Sequence, residues 1–154
     1  WRLGYIGAPL HIAQACTKIQ GQFTSGTSSI SQRAAIAAVS ANPSEIHEMR
    51  DAFLSRRDFI LEELNKIKGI NINQPQGAFY VFPDVSAFFN KSYGNFTVTN
   101  SDQLAMYILE TAKVAVVTVN AFGSPNCIRI SYASSMEKLK DAMDRIATAL
   151  NNLN

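Results

Sequence analysis

Apolar side chains recur at Ile46, Met49, Phe53, Leu54, Ile60, Leu61, Leu64 and Ile67, a spacing that predicts one helix within residues 42–69. Asn42 can cap it, Pro43 suits its first turn, Glu45 can reach back to the cap, and Gly69 supplies a left-handed stop. At about 25 residues it would run on the order of 38 Å, a length that suits an element crossing between two domains. A second helix opens at Ser101, with Leu104, Tyr107, Ile108 and Ala112 on one face. A third has Ser134 as cap and Glu137 three residues later, and repeats Met136, Leu139, Met143, Ile146, Leu150 and Leu153 at threes and fours. Three runs between these helices predict strands: residues 77–82 (GAFYVF), 114–119, and 127–133 (CIRISYA). Residues 84–100 read as an irregular loop, and residues 120–126, with Gly123 and Pro125, as a turn. From Asn42 onward the order is therefore helix, strand, helix, strand, strand, helix. That is an α+β unit with a small, at least partly antiparallel sheet covered by helices.

Residues 1–41 stand apart from that unit. Their pattern gives a strand at 3–6, a helix at about 11–20, a polar segment at 22–31 and an Ala-rich helix near 32–41. Alone these make only part of a layered domain. A strand that looks buried is an unusual first element, because domain ends are usually the least tied-down parts. The chain is accordingly expected to continue upstream of Trp1.

Composition narrows the chemistry. With 47% hydrophobic and 17% charged residues in 154, the chain reads as globular and water-folding. Fourteen basic against twelve acidic residues leave +2, too little and too scattered for a nucleic-acid or membrane surface. No apolar run reaches the roughly 18 residues of a membrane span. Cys16 and Cys127 lie far apart without metal-ligand spacing, so two reduced thiols and no metal site are expected. The triplets Asn90-Lys91-Ser92 and Asn95-Phe96-Thr97 match the glycosylation pattern but read as surface loop. His11 and His47 have no nucleophile beside them, and no GxSxG, Walker or GxGxxG pattern occurs. No catalytic residue is therefore assigned within the chain.

Two arginines embedded in apolar runs remain, Arg2 in WRLGYIG and Arg129 in CIRISYA. Strand side chains alternate faces, so Arg129 must point opposite to Ile128 and Ile130, where it either faces water or meets an anion. A planar fork of donors suits bidentate capture of a carboxylate, and Arg2 could hold a phosphate in the same way.

Taken in order, WRLGYIGAP at the start, GAFYVFPD from Gly77, and IRISYA from Ile128 with its capped terminal helix closely resemble the C-terminal part of pyridoxal-phosphate aminotransferases of the aspartate aminotransferase family (class I and II, fold type I). The resemblance runs over essentially the whole chain. It implies that residues 42–154 are the α+β small domain, including the long inter-domain helix, and that residues 1–41 are a remnant of the α/β large domain that binds the cofactor. By position, Arg2 matches the arginine that holds the phosphate of pyridoxal 5'-phosphate, and Arg129 the one that binds the substrate α-carboxylate. Phe79 falls near the family's substrate entrance.

The resemblance further implies an amino acid and a 2-oxo acid as substrates, and a cytoplasmic homodimeric parent in which residues 22–31 approach the partner subunit. The family's Schiff-base lysine stands shortly before the Trp-Arg pair, and none of the seven lysines here occupies that position. The chain alone is therefore expected to be inactive and not to retain the cofactor. It departs from the family in the turn before Arg129, where VTVNAFGSPN replaces a form richer in proline and glycine. Alternatives within the fold are a C–S lyase, a carbon–carbon-bond-forming synthase and the sensor half of a transcription regulator. From another class comes a stand-alone amino-acid-binding α+β module with Arg129 as its carboxylate clamp.

Overall fold

In the computed structural model, which describes residues 2–154, Asn42 starts the long helical segment as its side chain predicts. Its Oδ1 accepts the Ser44 N–H at 3.0 Å, and Pro43 opens a single 3-10 turn to Ile46. The chain then continues as α3 (His47–Lys66), and Gly69 closes the segment at φ 97°. Only the C-terminal half of α3 is covered, through Ile60 and Leu64, whereas Ile46 and Met49 stay exposed.

Upstream lie α1 (Leu10–Phe23) and α2 (Ser29–Ser40), joined by a short polar loop. The expected strand at residues 3–6 is absent: residues 2–9 have no regular secondary structure, and Arg2 takes φ 59°. A strand exists by pairing, and no described residue pairs with this segment. Burial tells the same story for the helices. None of the side chains of α1 is buried, and in α2 only Ser31 is, while Leu10, Phe23, Ile30 and Val39 stand exposed.

The chain divides into two compact units, one reaching to His47 and the other Glu48–Asn154. In the second, three short strands form an antiparallel sheet in the order β1 (Tyr80–Val81), β5 (Ile128–Ser131), β4 (Val117–Thr118). Its register sets Tyr80 opposite Ser131 and Val117 opposite Arg129. The paired segments are shorter than the apolar runs that predict them. In the first run, Ala78 at φ 60° bends the backbone out of the extended conformation just ahead of β1.

Residues 84–100, expected to be irregular, instead hold the hairpin β2 (Lys91–Tyr93) and β3 (Phe96–Val98). Tyr93 pairs with Phe96 across a two-residue Gly94-Asn95 loop, with Gly94 at φ 58°, a conformation that glycine adopts without strain. The chain terminus lies along the hairpin, where Ser92 and Asn154 exchange two backbone hydrogen bonds of 2.7 and 3.1 Å.

Helix α4 (Ser101–Ala112) is capped by Asn100, whose side chain accepts the Gln103 N–H at 2.9 Å. Helix α5 (Met136–Asn151) is capped by Ser135, not Ser134, through the Lys138 N–H. Both residues are serines, and the turn geometry after β5 selects the second. The core joins α3, β1, β5, α4 and α5 through Leu64, Val81, Ile128, Ile108 and Met143. Two polar contacts tie α4 to α5: the buried Tyr107 hydroxyl donates to the Ala149 carbonyl at 2.8 Å, and Arg145 Nη1 donates to the Ala112 carbonyl at 2.8 Å, at the end of α4. Among the described residues no helix is long and apolar enough to cross a membrane.

These burial differences set the energetics. Leu64→Ala removes a fully buried side chain (0% exposed) and is expected to destabilise the second unit by about 2–5 kcal/mol. Ile36→Ala, at a side chain 56% exposed, should change stability by no more than about 0.5 kcal/mol. Urea denaturation followed by circular dichroism checks both.

Candidate functional site

Strand β5 determines where Arg129 can go. Ile128 and Ile130 point into the core and are buried, so the pleat turns Arg129 to the other face, where it is half-buried. There its guanidinium carbon lies 4.5 Å from the centre of the Tyr80 ring and 5.7 Å from that of Phe122. Phe122 comes from the 3-10 turn Asn120–Phe122 that precedes β5. Ring faces attract a cation without neutralising it. Among the described residues the Arg129 side chain makes these ring contacts and no ion pair or hydrogen bond. Of the other arginines of this unit, Arg50, Arg57 and Arg145 are each paired with an aspartate, and Arg56 shares with Arg129 a ring contact alone, over Phe53. The fork of Arg129 is thus held in place by aromatic rings with its donors unspent, a state suited to an incoming carboxylate.

Phe79 lies immediately before Tyr80, with ring centres 4.3 Å apart, so one aromatic ring links it to Arg129. It is 39% exposed and lines an open hollow of about 380 Å³ together with Phe53, Arg57, Gly77, Ala78 and Tyr132. The rings of Phe79 and Phe53 are 6.1 Å apart, and those of Phe53 and Tyr132 6.3 Å. The Tyr132 hydroxyl donates to the Ala78 carbonyl at 3.0 Å, and Arg57 Nη1 donates to the Pro75 carbonyl at 3.2 Å.

Arg2 belongs to the first unit. It is exposed and lines a hollow of about 660 Å³ with Cys16, Thr17, Gln20 and Thr27. The guanidinium is a donor fork that fits a phosphate monoester, whereas the Thr17 hydroxyl already donates to the Ala13 carbonyl at 3.0 Å. Among the described residues no lysine lines this hollow.

Phe79 and Arg129 thus each meet the Tyr80 ring, Arg129 does not line the hollow that Phe79 lines, and Arg2 lies in the other unit. Four lining or contacting side chains escaped the reading of the sequence: Phe53, Arg57, Tyr80 and Tyr132. Tyr80 and Tyr132 sit inside the GAFYVF and CIRISYA runs, where alternation alone could have put Tyr132 on the face of Ile128 and Ile130. Nothing in the order of residues could have paired Arg57 with Pro75, which lies 18 positions away.

A family model described as aminotransferase class I and II matches residues 1–146. The bifunctional aspartate aminotransferase and glutamate/aspartate-prephenate aminotransferase of Petunia hybrida is 46% identical over 154 residues, covering 97% of this chain and 32% of that protein. A probable aspartate/prephenate aminotransferase of Aquifex aeolicus is 40% identical, covering 99% of this chain and 38% of that protein. The crystal structure of the aspartate aminotransferase from Rhizobium meliloti superimposes with a TM-score of 0.81 at 37% identity, covering 96% of this chain and 37% of that one. The chain thus spans about a third of the length of the relatives it matches.

Burial pushes the Tyr132 phenol above its ordinary titration range, opposed by the nearby Arg57 charge, and burial likewise raises Tyr107. The unfolded chain then loses these protons first, so stability is complete below the ordinary tyrosine value of about 10 and falls as pH rises through the higher folded values. Alkaline unfolding should be blunted in Tyr132→Phe, read as a smaller fall in melting temperature above pH 10 than in the unsubstituted chain.

Proposed function

Because the chain belongs to the class I and II aminotransferase family, we propose that it is the C-terminal part of a pyridoxal-phosphate aminotransferase that moves an amino group between an amino acid and a 2-oxo acid. In this reading residues 42–154 form the small domain of a fold type I enzyme, and residues 1–41 belong to its cofactor-binding large domain. The parent works as a cytoplasmic homodimer. The observation that carries the reading is Arg129, a strand arginine fixed between two rings with no acidic partner among the described residues.

Each residue then has a defined task. Arg129 binds the α-carboxylate of the amino acid or 2-oxo acid bidentately and so fixes the rotation of the substrate about that end. Such positioning matters because misplacement by about 1 Å can cost about a hundredfold in rate. Phe79 forms an apolar wall of the substrate entrance and excludes water from that side. Arg2 holds the cofactor's phosphate, in a hollow that Thr27 also lines. When bound, pyridoxal phosphate supplies the electron sink for breaking the Cα–H bond. The proton is carried by a lysine that is not among the seven of this chain. Several relatives are named for aspartate and prephenate, which makes aspartate the first donor to test and prephenate the first acceptor.

Two measurements follow. In the parent enzyme, Arg129→Gln should lower kcat/KM for aspartate by about a hundredfold or more, because charge-assisted hydrogen bonds are worth about 1.5–3 kcal/mol each. The isolated 154-residue chain mixed with pyridoxal phosphate should develop no stoichiometric absorbance that responds to amino acids. A parent in which Arg129→Gln leaves aspartate kinetics untouched would remove Arg129 from the carboxylate site.

A further inference from the structure

Ala78 holds φ at 60°, a backbone region that residues with a Cβ rarely adopt, directly before the ring that lines the hollow. The surrounding contacts show what keeps it there. Tyr132 grips two successive carbonyls: its hydroxyl donates to Ala78 O at 3.0 Å and its backbone N–H to Phe79 O at 2.9 Å. Arg57, anchored by its ion pair with Asp58, donates to Pro75 O at 3.2 Å. Tyr132 is only 2% exposed, and its ring packs against Phe53, which packs in turn against Phe79. The peptide planes on both sides of Phe79 are therefore oriented from outside the segment, and with them the direction in which its side chain leaves the backbone.

The geometry points to Tyr132 and Arg57 as positioning residues: they clamp residues 75–79 in a strained backbone and so set the Phe79 ring that lines the hollow, and under the proposed function this ring selects amino-acid substrates by side-chain size. The substrate half of this inference rests on the proposed aminotransferase function, and the clamp itself does not. Arg57 and Tyr132 act through Phe79 and need touch no substrate. A ring freed to swing narrows the entrance for bulky side chains while leaving small ones nearly unaffected.

Two experiments separate the halves. In the 154-residue chain carrying 13C-alanine, the Cα and Cβ shifts of Ala78 report its left-handed backbone. Tyr132→Phe, which keeps the ring and removes only the hydroxyl, should move them toward the common extended values, and unchanged shifts overturn the clamp. In the parent enzyme, the same substitution should raise KM for large amino donors about three- to tenfold, the worth of one hydrogen bond, with kcat unchanged. Adding Ala78→Gly should restore KM, because glycine adopts positive φ without being held there. An equal rise for small and large donors, or no recovery with Ala78→Gly, overturns the selectivity role. A parent without transamination activity refutes the proposed function and the substrate half together, and the Ala78 shifts still decide the clamp.

Discussion

Strand β5 is the constraint on which the second unit depends. It is the only strand of its sheet with neighbours on both sides, and its four residues must satisfy β1, β4 and the core at once. Because successive side chains leave opposite faces, burying Ile128 and Ile130 compels Arg129 to the other side, whatever its own preference. A slip of one residue in this register would put a guanidinium into the core, at a cost far beyond that of any contact on the other face. The position of the candidate carboxylate ligand is thus a consequence of hydrophobic burial on the opposite face of the strand.

Around that arginine the local chemistry is aromatic and not acidic among the described residues. Rings give a cation a modest attraction, about 0.5–2 kcal/mol, and leave all its N–H donors available. An aspartate in the same place would hold it more firmly and consume the fork. Arg57 and Arg145 show the other use: each spends its donors on an aspartate and on backbone carbonyls, and each thereby ties together segments distant in sequence. The same residue type thus serves as structural staple or as ligand, according to what stands within reach of its donors.

The first unit obeys a different balance. Its helices follow the apolar periodicity of their sequences, yet they leave Leu10, Phe23, Ile30 and Val39 in contact with solvent. Short helices in water draw most of their stability from packing an apolar face. In the reading proposed here, the remaining two thirds of a relative-sized protein supply that cover, along with the amine needed for chemistry and the other walls of the site.

Periodicity along the chain was enough to locate all three helices of the second unit, because amphipathic helices bury one face whatever lies opposite and so write that face at threes and fours. It was also enough to place Arg129 opposite two isoleucines, since alternation is a property of any strand. The hairpin at Gly94-Asn95 escapes that reading, because the scattered aromatics around its two-residue loop show no alternation. Strand lengths, the choice of Ser135 over Ser134, and the absence of a strand at residues 3–6 were decided by tertiary structure, because a strand or a cap exists only when a partner arrives at the right distance. The grip of Tyr132 and Arg57 on residues 75–79 belongs to the same class. It joins groups separated by 54 and 18 positions, and no local pattern records which carbonyl a buried hydroxyl or a folded-back guanidinium will meet.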